Sequence, residues 1–189
     1  MKITLAQTWQ LACEAHAGQV EKNGNPYYTH LAAVWKYTRA IGGDVYAQHA
    51  AILHDIVEDT PVTVDDLYAL GYSWRVVEAV QALSKGKGEP NRDYVGRVIE
   101  EGPRASIVKL ADLYHNTEPA RLSTLPKHTQ DRLKYKYFHA IRRIEEALSL
   151  PATLTDEEYD ASQTYQAPRW NDPVGSVSKY SGGWSYGTL

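Results

Sequence analysis

The stretch Ala50-Ala51-Ile52-Leu53-His54-Asp55-Ile56-Val57-Glu58-Asp59 sets an apolar run directly against four ionisable side chains. Its first half reads as the centre of a buried helix, and the pattern predicts one helix from Val45 to Glu58 with Asp44 as its cap. Ionisable groups inside such a helix are costly unless a partner, a hydrogen bond or a cation compensates them. At helical spacing His54 stands above Glu58 and Asp55 above Asp59, so the four groups crowd two adjacent stripes. A divalent cation is the simplest compensation. The plain alternative is a solvated helix end at Glu58 and Asp59 with His54 hydrogen-bonded in the core.

Outward from that stretch, helical spacing recurs along the chain. Leu5, Trp9, Ala12 and Ala15 mark a helix over Thr4 to His16 that stops before Gly18. Glu21 to Tyr28 is polar, holds Gly24 and Pro26, and reads as a loop; His30 to Ile41 then resumes the helical pattern and ends at Gly42-Gly43. Thr63 and Asp66 resemble a capping box for Val64 to Leu70, and Ser73 is placed to cap Trp74 to Leu83. Lys85 to Pro90 reads as a flexible basic loop. Gly102-Pro103 separates helices over Arg92 to Glu101 and Ala105 to Asn116, and Pro119 and Pro126 bracket an irregular piece. Lys127 to Ser149 is the longest pattern, with Leu133, Tyr137, Ala140, Ile144 and Leu148 on one stripe.

Nothing alternates as a strand, so the expected fold is all-α: a single helical bundle over residues 1–150. Residues 151–189 read as a C-terminal segment, a short helix near Asp156 to Tyr165 followed by an irregular Gly/Ser-rich tail. Trp170, Tyr180, Trp184 and Tyr186 in that tail suit packing on the domain or on a second copy, a homo-oligomer contact.

A formal net charge of −3 over 189 residues argues against a basic face for duplex nucleic acid and favours a small anionic ligand. Cys13 is the one cysteine, which excludes an internal disulfide framework and a thiolate zinc cluster, so any metal must use His and carboxylates. No apolar run approaches the roughly 20 residues of a membrane span, and the first residues lack signal-peptide character. The expected location is the cytoplasm, with no membrane partner.

Two distant stretches share the chemistry of the central one. Lys22-Asn23-Gly24-Asn25-Pro26-Tyr27-Tyr28-Thr29-His30 places a His at a loop-helix junction, and in Val108-Lys109-Leu110-Ala111-Asp112-Leu113-Tyr114-His115-Asn116 an Asp interrupts a buried helical stripe. The order Lys-x-Gly-x-Pro-Tyr-x-x-His, His-Asp-x-x-Glu-Asp-Thr and Val-Lys-Leu-Ala-Asp-x-x-x-Asn resembles the hydrolase domain of the Rel/SpoT enzymes and the stand-alone small alarmone hydrolases of the HD superfamily. The resemblance covers about Leu11 to Leu148.

That resemblance implies an HD-type bundle in which His30, His54, Asp55 and Asp112 hold a divalent metal, typically manganese. It implies that Glu58 and Asp59 activate water, and that Asn116 and Lys22 help hold a small-molecule nucleotide. Lys85 and Lys87 match a phosphate-contacting loop, and Arg132 falls near an Arg of the long helix. The implied reaction releases the 3′-pyrophosphate of guanosine tetraphosphate or pentaphosphate, leaving GDP or GTP. His16, His49, His115, His128 and His139 are read as structural or surface residues. The chain departs from the family at Glu21 and Glu118, where the long enzymes carry Arg; an anion at position 21 removes a stacking guanidinium and repels phosphate. Two alternatives stay open: an HD phosphohydrolase acting on another 3′-phosphorylated nucleotide (an adenosine alarmone, NADPH or a pyrophosphorylated RNA end), and a non-catalytic alarmone-binding or toxin-neutralising module.

Overall fold

Capping chemistry sets where the first helices begin. The Thr4 hydroxyl accepts the Gln7 N–H while the Gln7 side chain accepts the Thr4 N–H, a reciprocal box that starts α1 (Leu5–Ala15). α2 (Tyr28–Ile41) closes at Gly42, whose φ of 99° is open to glycine at little cost. Gly43 follows where a Cβ would press to 2.8 Å from the Thr38 carbonyl oxygen. The Asp44 carboxylate then accepts the Ala47 N–H at 2.8 Å and opens α3 (Val45–Leu53), as its sequence predicts.

The computed structural model describes residues 3–21 and 23–150, and among these the remaining helices are α4 (Ile56–Asp59), α5 (Val64–Ala69), α6 (Trp74–Leu83), α7 (Asn91–Glu101), α8 (Pro103–Thr117), α9 (Pro119–Leu122) and α10 (Lys127–Ala147). No strand occurs among the described residues; one isolated bridge, Val20 with Pro26, pinches the loop before α2. The Thr63/Asp66 box forms as predicted, whereas Ser73 stands at its cap position without a side-chain hydrogen bond. The short α9 lies in the piece read as irregular, started by Pro119 in the first helical turn, where its missing N–H costs nothing. The helix expected at Asp156 to Tyr165 and the aromatic tail lie outside the described residues.

The decisive difference is in the central stretch. The single helix expected over Val45 to Glu58 is broken at His54-Asp55. The His54 ring turns back on its own last turn, Nδ1 donating to the Ala51 carbonyl at 2.9 Å, and Asp55 takes φ −103° and ψ 0° before α4 resumes. A side chain bonded to nearby backbone offers an alternative to continued helix. The break leaves His54 and Asp55 on neighbouring sides of a turn, not on two unbroken stripes.

α8 is the central element: it packs against α2, α3, α6, α7, α9 and α10. Val108, Leu110, Ala111 and Leu113 are buried on it, and so are the polar Asp112 and His115. α3 is apolar nearly all round, the mark of an interior helix, and Ile52, Leu53 and Ile56 are at most 2% exposed. Each such burial contributes about 1.5–3 kcal/mol. Enclosing α3 and α8 in this way fixes the His54-Asp55 turn against the middle of α8. No described helix is long and apolar enough to cross a membrane.

Candidate active site

Three elements deliver the side chains expected to hold an ion. His30 comes from the first turn of α2, His54 and Asp55 from the break between α3 and α4, and Asp112 from the middle of α8. His30 Nε2 lies 3.1 Å from His54 Nε2, 3.6 Å from Asp55 Oδ2 and 3.5 Å from Asp112 Oδ1. His54 Nε2 lies 2.9 Å from Asp55 Oδ2 and 4.0 Å from Asp112 Oδ1. Donors about 2.1 Å from one ion stand about 3.0 Å apart at a right angle and up to about 4.2 Å apart when opposite, so these spacings suit a single divalent cation. Because the Ala51 carbonyl can only accept, His54 Nδ1 carries a proton there and its Nε2 faces inward. Two buried imidazole nitrogens facing each other need a proton or a cation between them, and two carboxylates stand beside the gap. HD-domain hydrolases use divalent metals, and His30, His54 and Asp55 form a buried cluster able to hold one.

The charges respond to each other as such a cluster should. Burial lowers the His54 pKa, but Asp55 beside it and Asp112 behind it overcome that and lift it to about 9. Burial acts to raise Asp55, yet His54 and His30 hold it well below the usual carboxylate range. Asp112 is likewise low against its burial, because Lys109 Nζ sits 2.8 Å from Oδ2 and is itself raised well above an ordinary lysine. Asn116 Nδ2 donates to the other oxygen, Oδ1.

Glu58 and Asp59 sit one turn on, solvent-accessible at the end of α4, which agrees with the plain reading of a helix end as far as exposure goes. Their environment is nonetheless specific. Glu58 Oε2 accepts the Lys85 backbone N–H at 2.9 Å, and the Tyr27 hydroxyl donates to Asp55 Oδ2 while lying 3.4 Å from Asp59 Oδ2. Partial burial and then the negative charges of Asp55 and Asp59 push the Glu58 pKa up; burial and Asp55 do the same to Asp59. The pair is thus shifted toward proton acceptance.

A cleft of about 370 Å³ joins these groups, a volume suited to a small-molecule ligand. His30, Asp55, Glu58, Asp59, Lys85, Asp112 and Asn116 line it, so most residues predicted from sequence meet in one place. Lys87 and Arg132 do not: both are exposed and neither borders the cleft, whereas Lys85 of the same loop as Lys87 does. Lys22 lies outside the described residues. Tyr27, Tyr94, Lys109, Arg121, Lys136 and Tyr137 line the cleft without having been singled out for it. Tyr27 and Lys109 stood inside the quoted motifs, a signal that was available; Arg121 gave none.

Glu21 corrects an expectation. It is buried at 6% exposure, its Oε1 accepts the Thr29 hydroxyl, and its Oε2 pairs with the Arg121 guanidinium, so its charge is balanced and does not repel phosphate unopposed. Arg121 Nη1 also lies 3.4 Å from His115 Nδ1, which lies 2.7 Å from His30 Nδ1. His115, read as structural, therefore touches a proposed metal ligand. Glu118 accepts from the Tyr37 hydroxyl, and its charge is felt at His115. His49 Nδ1 lies 2.7 Å from the Thr8 hydroxyl and His16 Nδ1 lies 2.8 Å from the Gln19 side-chain oxygen, while the His16 ring stacks on Tyr27.

Comparison with known proteins agrees with this geometry. Residues 8–92 match the HD domain family. The chain is 33% identical over 123 residues, 59% of its length, to the bifunctional (p)ppGpp synthase/hydrolase SpoT of Escherichia coli K12. The match to the guanosine-3′,5′-bis(diphosphate) 3′-pyrophosphohydrolase of Escherichia coli O157:H7 has the same identity and extent. The chain spans 17% of the length of each of these relatives. A solved structure of a metazoan ortholog of SpoT, which hydrolyzes ppGpp and plays a role in starvation responses, superposes with a TM-score of 0.61 at 23% identity, covering 84% of this chain and 92% of that one; it establishes the shared all-α fold. By its match over residues 8–92 and its fold, and with His30, His54 and Asp55 converging, the chain resembles the HD domain family and is similar to the Rel/SpoT (p)ppGpp enzymes.

Proposed function

We propose that this protein is a metal-dependent 3′-pyrophosphohydrolase that converts guanosine tetraphosphate or pentaphosphate to GDP or GTP and pyrophosphate. The observation that carries the reading is the meeting of His30, Asp55 and Asp112 with the Glu58/Asp59 pair in one cleft, with His54 Nε2 within 4.0 Å of the first three. The names of the relatives supply the reaction.

The four donor residues are assigned to one divalent ion. When bound, that ion would polarise water and offset the charge that builds on phosphorus. A nitrogen and oxygen donor set without thiolate supports manganese. Glu58 and Asp59 orient the attacking water and take its proton, helped by their raised pKa values. Tyr27 keeps Asp55 and Asp59 in register by reaching toward both. Asn116 restrains Asp112 and faces the nucleotide, and Lys85, in the same cleft beside Tyr94, is assigned to phosphate. Lys109 acts through Asp112. The catalytic unit is assigned to residues 1–150, with 151–189 as an attached segment, and the lone thiol of Cys13 supports a reducing, cytoplasmic setting.

Glu21 favours a second reading of the substrate only. With Arg121 neutralised against it, this wall of the cleft offers a closed ion pair where the long enzymes have Arg. That supports a base preference that differs from theirs, for instance adenosine over guanosine. Incubating manganese-loaded protein with guanosine tetraphosphate, its adenosine counterpart and NADPH tests both. Release of GDP and pyrophosphate supports the leading reading; turnover of the others alone replaces it.

A further inference from the structure

We infer that His115, Arg121 and Glu21 form a positioning chain that fixes the His30 ring with its Nε2 lone pair facing the ion site; the inference rests on His30 being an ion ligand, as proposed above. Guanidinium groups only donate hydrogen bonds. Arg121 Nη1 directs an N–H at His115 Nδ1 from 3.4 Å, so that nitrogen is unprotonated and accepts. His30 Nδ1 lies 2.7 Å from the same atom, and two bare nitrogens at that separation would repel. The proton therefore sits on His30 Nδ1. The other ring nitrogen, Nε2, is left with its lone pair, 3.1 Å from His54 Nε2 and 3.5 Å from Asp112 Oδ1.

Arg121 is held in turn. Glu21, whose side chain is 2% exposed, pairs with it and accepts from the hydroxyl of Thr29, the residue before His30. The chain thus starts and ends on the same turn of α2, and His115 at 8% exposure is shielded from water that would otherwise compete for its nitrogen. Metal-bound histidines usually donate their second N–H to a carboxylate, a carbonyl or water. Here the acceptor is a neutral imidazole whose tautomer is dictated by a guanidinium, and the guanidinium is anchored by the anion that replaces the family's Arg. Side-chain nitrogen and oxygen atoms of Glu21, His30 and His115 lie within 4.8 Å of one another and have the spacing of a second ion site, but Arg121 already lies against Glu21 there.

Manganese titration calorimetry on the full chain tests the chain of contacts, using wild type, Arg121→Met, Arg121→Lys and His115→Phe, with ion-free thermal melts as the folding check. The expected results are one ion per wild-type chain, affinity lowered about 10- to 100-fold in His115→Phe, a smaller loss in Arg121→Met, and recovery in Arg121→Lys, which restores a donor to His115 and a cation to Glu21. Nitrogen-15 correlation spectra of the ion-free proteins should show His115 Nδ1 unprotonated in wild type and Arg121→Lys and partly protonated in Arg121→Met, a change that loss of packing alone would not cause. Should His115→Phe fail to fold, the Met and Lys variants at position 121 decide alone. Wild-type affinity in Arg121→Met, two ions per wild-type chain, or a protonated His115 Nδ1 in wild type overturns the inference. Absence of any ion from wild type instead overturns the ligand assignment on which it stands.

Discussion

Replacing Lys109 by Met removes the ammonium that lies 2.8 Å from Asp112 Oδ2 across one turn of α8. The pair is well buried, with side-chain exposures of 16% and 9%. At that separation and an effective dielectric near 20, the attraction is about 6 kcal/mol, a gross figure that desolvation reduces. Leaving one partner of a buried pair behind costs about 3–5 kcal/mol. Met retains most of the apolar stem, so the loss reports the charge, together with the ammonium's position 4.9 Å over the Tyr94 ring. For a domain of this size each kcal/mol moves the melting temperature by about 2–4 °C, so ion-free Lys109→Met should melt about 6–20 °C below wild type. Saturating manganese should then raise the variant's melting temperature more than it raises wild type's, since the ion supplies positive charge to Asp112. Adding Asp112→Asn should cost less than the two single losses combined, by about 1–3 kcal/mol. Differential scanning calorimetry with and without manganese measures all three quantities. A variant melting within about 2 °C of wild type, about 0.5–1 kcal/mol by that conversion, would refute the reasoning that Lys109 is what keeps Asp112 charged.

Other outcomes follow from the same contacts. Glu58→Gln with Asp59→Asn should lower turnover about 10²- to 10⁴-fold with manganese affinity unchanged by calorimetry, since neither residue is among the assigned ligands. Tyr27→Phe removes the hydroxyl between Asp55 and Asp59 and should lower kcat/KM about 10- to 100-fold, the range for a hydrogen bond to a charged group, in a protein that melts near wild type. Asp44→Ala deletes the cap of α3 and should cost about 1 kcal/mol in urea unfolding at neutral pH. The Asp44 pKa is lowered by Arg104 and by the Ala47 N–H against a partial burial that would raise it. Its stabilisation is therefore full above the unfolded carboxylate pKa and is lost as pH falls through the lower folded value. Wild type and Asp44→Ala should converge in stability there, and a gap that stays constant into acid would contradict the cap.

Local chemistry made most of the bundle legible. Asp44 and the Thr63/Asp66 box begin helices where their residue types say they should, and the stripe from Tyr137 to Leu148 faces the core as its spacing requires, with Leu133 buried outside the main cluster. The break at His54-Asp55 was not legible, because periodicity registers where apolar residues recur and cannot register a ring bonding back to the Ala51 carbonyl. The short α9 was hidden by prolines that also serve as helix starters. At the site, most residues inside the ordered motifs met in the cleft; of those placed only by register, Lys85 lines it and Lys87 and Arg132 do not. Glu21 and Arg121 are 100 positions apart, so nothing in the sequence near either one announces the pair; a single anion reads as a lost stacking cation and a repulsion of phosphate until its cation is in view.

The most direct measurement follows the oxygen atoms. Manganese-loaded protein is given guanosine tetraphosphate in oxygen-18 water, and the products are resolved by mass spectrometry. Attack by activated water at the phosphorus joined to the 3′-oxygen places one label in pyrophosphate and leaves GDP unlabelled. No turnover by protein that calorimetry shows to carry one ion, or label appearing in GDP, would contradict the account.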